Sequence, residues 1–467
     1  IQHLLAMILY MLAVIAIGIV FARRANKDAE AYFLGGRSLG PWVTAFSAEA
    51  SDMSGYLLMG LPGLAYWTGL ADAGWTCIGL ALGTYLNFLI TSRRLRRYSI
   101  AVDAFTVPDF FSKRYHEGRH KTLMVLSSLI IIIFFSVYAA QCLSTCGKLF
   151  ANLFGLSYQS MMIVAAAFVL IYTFLGGFLA ESASDFMQAV VMVTVLVLIL
   201  IMSVGAAGGL SAAIQHAEGI DGFFSLVQSA APSATEVDVF GAAKPYGVLS
   251  IVSCLAWGLG YFGMPHILLR FMAIEDEKKL VLSRRIASVW VVIAMTASIV
   301  IGVVGLGMTK AGALEFLSGS SSETLIVRIA SLIAQHGVLA AVLSGLILAG
   351  ILAATMSTAD SQMLAAASSV SQNILQEFGH MKLTERQSLF AARLTIICVS
   401  VVGVVLARDP NSSVFGIVSF AWAGFGGAYG AVMLCALFWK RCNWQGALAG
   451  MLAGGLMVFV WKYLISP

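Results

Sequence analysis

Apolar blocks recur from one end of this chain to the other, separated by short polar stretches. An α-helix needs about 20 predominantly apolar residues to cross the hydrocarbon core of a bilayer. Blocks of that kind fall at about 4–21, 42–67, 71–91, 123–147, 158–177, 184–206, 248–272, 286–309, 338–370, 388–406, 413–438 and 444–465. They predict twelve membrane helices in a single all-α transmembrane domain, 1–467. Two connections are long. Residues 207–247 are rich in Gly, Ala and Ser with scattered acids, and 310–337 contain SETLIVRIASLIAQHG, whose apolar spacing predicts an interfacial or gating helix. Neither reads as a separate domain.

Composition agrees with the blocks. Of 467 residues, 60% are hydrophobic and 11% charged, where a soluble domain carries about 25% charged residues. The net charge of +5 matters less than its placement. Basic residues cluster on alternate loops: Arg23, Arg24, Lys27 and Arg37; then Arg93 to Arg97, Lys113, Arg114, Arg119 and Lys121; then Arg270 to Arg285; then Lys382, Arg386 and Arg393; then Lys440 and Arg441. These loops hold 22 of the 28 Lys and Arg residues. The positive-inside rule puts them in the cytoplasm and the N-terminus outside, in a multi-pass membrane protein. Orientation and lipid contact account for the basic runs without nucleic acid, and no obligatory protein partner is evident. The seven cysteines sit in or beside apolar stretches without metal-site spacing, as small buried residues do.

The informative residues are those that break the membrane rules. The second span, WVTAFSAEASDMSGYLLMGLPGLAYW, carries Glu49 and Asp52 at mid-span, then Ser54, Gly55 and Gly60-Leu61-Pro62-Gly63. The seventh, SCLAWGLGYFGMPHILLRF, carries Gly258, Gly260, Gly263 and Pro265. Gly and Pro at this density interrupt a helix, and broken backbone at membrane depth is tolerated where it lines a cavity or is buried in protein. A pair of such spans, five helices apart, points to the midplane site of an inverted-repeat transporter. The ninth span, LILAGILAATMSTADSQMLAAASSV, gathers Ser357, Thr358, Asp360 and Ser361, hard oxygen ligands for a small cation. Glu181 and Asp185 begin the sixth. All these mid-membrane charges read as negative with no Lys or Arg to pair them, so a cation or proton must do so. GLGYFG at 258–263 has no strand or crossover around it and is no dinucleotide fingerprint. His266 reads as a packed polar side chain.

The segments YFLGGRSLGPWVTAFSAEASDMSGYLLMGLPG (32–63), LGYFGMPHILLRFMA (259–273) and LAATMSTADSQML (352–364) resemble the sodium:solute symporter family, in its sodium/proline branch. The resemblance runs along essentially the whole chain. It implies a leucine-transporter-type fold of two inverted five-helix repeats, 42–206 and 248–438, with discontinuous helices, and Na⁺ as coupling ion. The family usually has thirteen spans, and against that pattern this sequence stops after the twelfth, without the terminal helix. By motif, the main sodium site would use carbonyls of Ala50, Met53 and Ala354 and the hydroxyls of Ser357 and Thr358, with Asp52 important for sodium binding. Asp185, Asp360 and Ser361 match a second sodium site of some relatives. Substrate contacts would come from Ser54, Gly55, Tyr56, Tyr138, Trp257, Tyr261 and Pro265. The chain departs from one proline symporter of that branch at Tyr56 (there Trp), Glu49 (there Gly) and Asp360 (there a hydroxyl).

The implied function is sodium-coupled uptake of a small solute, L-proline or a similar amino acid, by alternating access in the lipid bilayer. A proton-coupled symporter on the same fold is the first rival. An ion channel would favour rings of ligands from symmetric subunits, and an enzyme would need a nucleophile–base or metal cluster that no motif supplies.

Overall fold

The structure is a computed structural model. It describes residues 2–465 apart from 26–28, 119, 176, 234–235 and 237, and for 2–4, 21–25, 29–31, 172 and 175 the backbone alone. Of the basic residues that set the orientation, Lys27 and Arg119 therefore lie outside the described residues, as do the side chains of Arg23 and Arg24.

Among the described residues, twelve apolar helical segments run in the predicted order. The first is Gln2–Ala25, and the second is split into Pro41–Gly55 and Leu61–Thr68. Leu70–Ile90, Thr122–Phe154, Tyr158–Leu175 and Phe178–Ala206 complete the first six. The seventh runs from Val248–Leu255 to Pro265–Ala273. Leu280–Lys310, Val338–Ser368 and Glu385–Leu406 follow. The eleventh is Val414–Phe425 continued by Ala431–Phe438, and the twelfth is Trp444–Val460. Among the described residues, eight helices alone are long and apolar enough to cross a membrane, and the seventh span joins them as a pair of helices bent by 46°.

Local signals start these helices where they start. Pro41 and Pro265 stand in first turns, where the missing N–H costs nothing. Thr384 and Gln387 form a capping box at the tenth span, and Asn443 caps the twelfth. Leu9, Val289, Phe390 and Val405 stay exposed, the expected face toward lipid. Inside, glycine lets backbones touch: a Cβ on Gly258 of the seventh span would lie 2.1 Å from the Gly79 carbonyl oxygen of the third.

Three findings modify the sequence reading. The sixth helix begins at Phe178, so Glu181 and Asp185 both lie within its first turns. The 207–247 connection contains an antiparallel hairpin, Gln228–Pro232 with Phe240–Pro245, which its Gly- and Ala-rich sequence does not announce. The amphipathic helix expected in 310–337 exists as Leu325–Ile333, and its apolar face (Leu325, Ile326, Ile329, Ile333) is buried in the protein.

At the end predicted to be cytoplasmic, the approach to the second span pairs with the exit of the seventh. The Leu39 N–H donates to the Ala273 carbonyl at 3.1 Å and the Glu275 N–H donates to the Leu39 carbonyl at 3.0 Å. Arg37 adds bonds to the carbonyls of Met272, at 3.0 Å, and Ala104, at 2.7 Å.

Candidate functional site: the two broken spans and the ninth

The second span breaks at Ser54, whose φ of 48° and ψ of −168° leave the helical region. A non-glycine residue held there carries strain that surrounding contacts must maintain. The Ser54 hydroxyl accepts the Tyr56 N–H at 3.1 Å, and the chain resumes through a π-helical turn, Tyr56–Gly60. The seventh span unwinds through Tyr261–Gly263 to an extended Met264 before Pro265 restarts it. The Tyr261 hydroxyl donates to Asp52 Oδ2 at 2.7 Å, joining the two breaks, and the Tyr138 hydroxyl donates to the Asp52 carbonyl at 2.9 Å.

Beside Asp52 the ninth span meets the second. Ser357 Oγ lies 2.7 Å from the Ala50 carbonyl oxygen and 3.1 Å from that of Ala354, and Thr358 Oγ1 lies 3.1 Å from the Ala354 carbonyl oxygen. All four residues are completely buried. The structure thus brings together two carbonyls and two hydroxyls, oxygens of the kind a small hard cation takes. The Met53 carbonyl accepts the Tyr56 N–H at the break.

On the other side of Tyr56 lies an aromatic wall. Its ring stacks on Trp257 with centroids 5.8 Å apart and meets Phe415 at 5.9 Å. Trp257 also stacks on Phe415 at 5.3 Å, and Tyr261 meets Trp422 edge-on at 5.1 Å. Phe415 and Trp422, on the eleventh span, were missed from sequence because an aromatic residue in an apolar helix gives no sign of whether it faces lipid or a site. Gly55 packs closely on the fourth span, where a Cβ would lie 2.4 Å from Thr145 Oγ1. Pro265 is buried at the restart of the seventh.

The reading that mid-membrane charges lack a basic partner is corrected. Arg270, counted from sequence as a loop residue, sits in the last turn of Pro265–Ala273 and points into the protein, 1% exposed. It pairs with Glu181 and with Asp185 Oδ2, the latter at 3.0 Å. It also donates to Ser361 Oγ at 2.8 Å, Ser47 Oγ at 3.0 Å and the His266 carbonyl at 2.9 Å. The cation facing Asp185 and Ser361 is therefore a guanidinium. Asp360 Oδ1 accepts the Ser361 N–H at 2.8 Å, and the residue lines a small crevice with Gly18, Thr173 and Glu181.

A second buried pair closes the end predicted to be external. Lys148 binds Glu323 at 2.6 Å, and the Glu323 carboxylate accepts the N–H groups of Val414, at 3.0 Å, and Phe415, at 3.2 Å. A carboxylate at a helix N-terminus satisfies its free donors and its dipole. Here it also seats Phe415 over the aromatic wall.

Two discontinuous helices meeting at mid-membrane, with oxygen ligands on one side and aromatic rings on the other, define a secondary transporter. The fold is shared with a Na⁺-coupled sialic acid symporter in a substrate-bound outward-open state (TM-score 0.76, 19% identity, 99% of this chain and 92% of that one). It is also shared with a nucleobase-cation-symport-1 family transporter, Mhp1 (TM-score 0.54, 13% identity, 94% and 96% covered). It is the leucine-transporter-type architecture.

Residues 32–454 match the sodium:solute symporter family, and the chain belongs to it. It is a multi-pass membrane transporter whose coupling ion is sodium. Similar proteins include the osmoregulated proline transporter OpuE of Bacillus subtilis, 39% identical over 99% of this chain and 89% of that protein. The sodium/proline symporters of Salmonella typhimurium (36% identical) and Escherichia coli (37%) each align with 97% of this chain and 86% of their own length.

Proposed function

We propose that this chain takes up L-proline, or a closely similar amino acid, with Na⁺ across a bacterial cytoplasmic membrane, with its N-terminus external. Na⁺ binds among the Ala50, Met53 and Ala354 carbonyls and the Ser357 and Thr358 hydroxyls, with the Asp52 carboxylate supplying the field. The solute lies at the two breaks, against Ser54, Tyr56, Trp257, Tyr261 and Pro265, with Phe415 as cover. The aromatic rings take an apolar pyrrolidine ring while the exposed backbone ends at the breaks take its charged groups. Residues 42–206 and 248–438 act as the two inverted halves.

The observation that carries this reading is the Ser357–Ala50 contact beside the Asp52–Tyr261 bond. A cation bound at the first fixes the helix break that presents the second, so ion and solute sites share one piece of backbone. The proline transporters among the similar proteins supply the solute. One charge crossing 100 mV yields about 2.3 kcal/mol, and at about 1.4 kcal/mol per decade this sustains roughly a fiftyfold gradient.

The test is uptake of radiolabelled L-proline into proteoliposomes under an imposed Na⁺ gradient and, separately, an H⁺ gradient. Uptake driven by Na⁺ and lost in Asp52→Ala supports the reading. Na⁺-dependent uptake of another solute removes proline alone, and uptake driven by H⁺ without Na⁺ overturns the sodium site.

A further inference from the structure

The eighth span, Leu280–Lys310, opens at the end predicted to be cytoplasmic and carries Arg284 and Arg285 in its first turns. Cations there oppose the helix dipole, which favours an anion. Arg284 lies over the Tyr85 ring of the third span, its Cζ 5.1 Å from the ring centre. Its Nε is enclosed and has no hydrogen-bond partner among the described residues. One turn further along the same face, the Ser288 hydroxyl is enclosed and unpartnered in the same way. The third span continues through Thr91 into the helix Ser92–Ala101, which carries Arg93 and Arg97. Arg97 binds Glu277, just ahead of the eighth span, at 2.5 Å, and Arg93 acts on the same carboxylate.

The acids at this corner are already engaged. Glu275 pairs with Lys279 at 2.6 Å, Asp276 accepts the Lys278 N–H at 2.9 Å, and Glu277 is taken by Arg97. Arg93, Arg284 and Arg285 enter no ion pair among the described residues. Toward the membrane interior the surface beside them turns apolar: Ile78 and Leu82 precede Tyr85 on the third span, Val289 and Val292 follow Ser288 on the eighth, and all four are exposed. A surface that is apolar along its length and cationic at one end matches acyl chains joined to a negatively charged headgroup. We propose that the seam between the third and eighth spans, at this end, binds an anionic glycerophospholipid. Arg93, Arg284 and Ser288 hold its phosphodiester, and its chains lie along Leu82, Tyr85 and Val292. Asn87 of the same stretch of the third span donates to the Tyr261 carbonyl at 3.0 Å, so the lipid steadies a helix that braces the seventh-span break.

The experiment measures binding of tritiated dioleoylphosphatidylglycerol to the purified full chain, immobilised in dodecyl maltoside micelles. Neither Na⁺ nor an amino acid is present, so failure of the proline reading leaves it unaffected. Unlabelled dioleoylphosphatidylglycerol should displace the label roughly tenfold better than dioleoylphosphatidylcholine. Glycerol 3-phosphate, which has the phosphate without the chains, should not displace it. Each guanidinium beside an anionic headgroup contributes about fivefold, so Arg93→Gln combined with Arg284→Gln should weaken binding roughly twenty-fivefold. Ser288→Ala, which keeps every charge, should weaken it roughly fivefold. Lys382→Gln combined with Arg386→Gln, on the exposed loop before the tenth span, should leave it unchanged. Equal displacement by phosphatidylcholine, as lipid coating any apolar surface would give, overturns the proposal. So does displacement by glycerol 3-phosphate, the mark of a site for free phosphate. An equal effect of the two double variants, or an unaltered affinity in Ser288→Ala, overturns it as well.

Discussion

Replacing Arg270 by methionine keeps most of the side-chain volume and removes one cation. In the structure that cation holds Glu181 and Asp185 and donates to Ser47, Ser361 and the His266 carbonyl, all of them buried. Taking one member from a buried ion cluster is costly because the remaining charges are left uncompensated, typically by about 3–5 kcal/mol. At about 1.4 kcal/mol per decade the folded-to-unfolded ratio of Arg270→Met would fall roughly a hundred- to a few thousandfold. Thermal unfolding of the purified protein in detergent should show a large drop in midpoint. Two controls follow from the same geometry. Adding Glu181→Gln and Asp185→Asn removes the stranded charges and should recover most of the loss, since a neutral replacement of a whole buried ion cluster is often harmless. Na⁺ should also stabilise Arg270→Met more than the native chain, because the vacated place lies between carboxylates and the Ser361 hydroxyl; saturation at a hundred times the dissociation constant would return about 2.7 kcal/mol. An unchanged midpoint in Arg270→Met, or a triple variant no better than the single one, would refute the assignment of Arg270 as the buried counter-charge.

Other outcomes follow from single contacts. Ser357→Ala removes a buried oxygen worth about 1–3 kcal/mol, so the half-saturating Na⁺ concentration for uptake should rise roughly five- to a hundredfold; an unchanged Na⁺ dependence would exclude this hydroxyl as a ligand. Gly258→Ala forces a methyl against the Gly79 carbonyl and should destabilise by about 1–3 kcal/mol, read as a lower unfolding midpoint. Glu323→Ala frees the N–H groups of Val414 and Phe415 and should speed alkylation of a cysteine placed at Tyr56 from the side predicted to be external, while a lysine-only defect would leave that rate unchanged.

The sequence made the helix order and both breaks legible, because Gly, Pro and acids inside an apolar run contradict a plain membrane helix. The hydroxyls of Ser357 and Thr358 stood out for the same reason, and the structure sets them on the Ala50 and Ala354 carbonyls. Arg270 was hidden because a basic residue at a span end fits the positive-inside pattern equally well whether it reaches out to lipid headgroups or folds back inward. The direction is set by where its helix restarts after Met264, a tertiary matter. Phe415 and Trp422 were hidden because hydrophobicity does not distinguish a lipid-facing ring from one lining a pocket. The hairpin at 228–245 was hidden because it lacks alternation: its strands read QSAAP and FGAAKP.

The Leu39 bridge has a mechanical consequence. Through it the half-helices Pro41–Gly55 and Pro265–Ala273 share a tie at one end, two backbone hydrogen bonds reinforced by the Arg37 guanidinium, while their other ends are joined by the Asp52–Tyr261 link. Two rods pinned at both ends form a rigid ladder. Tilting one rod alone would shear every rung, whereas tilting both together breaks none. The Leu39 rungs are backbone bonds, and the ladder's helical rods end at the interrupted backbone of Ser54 and Met264.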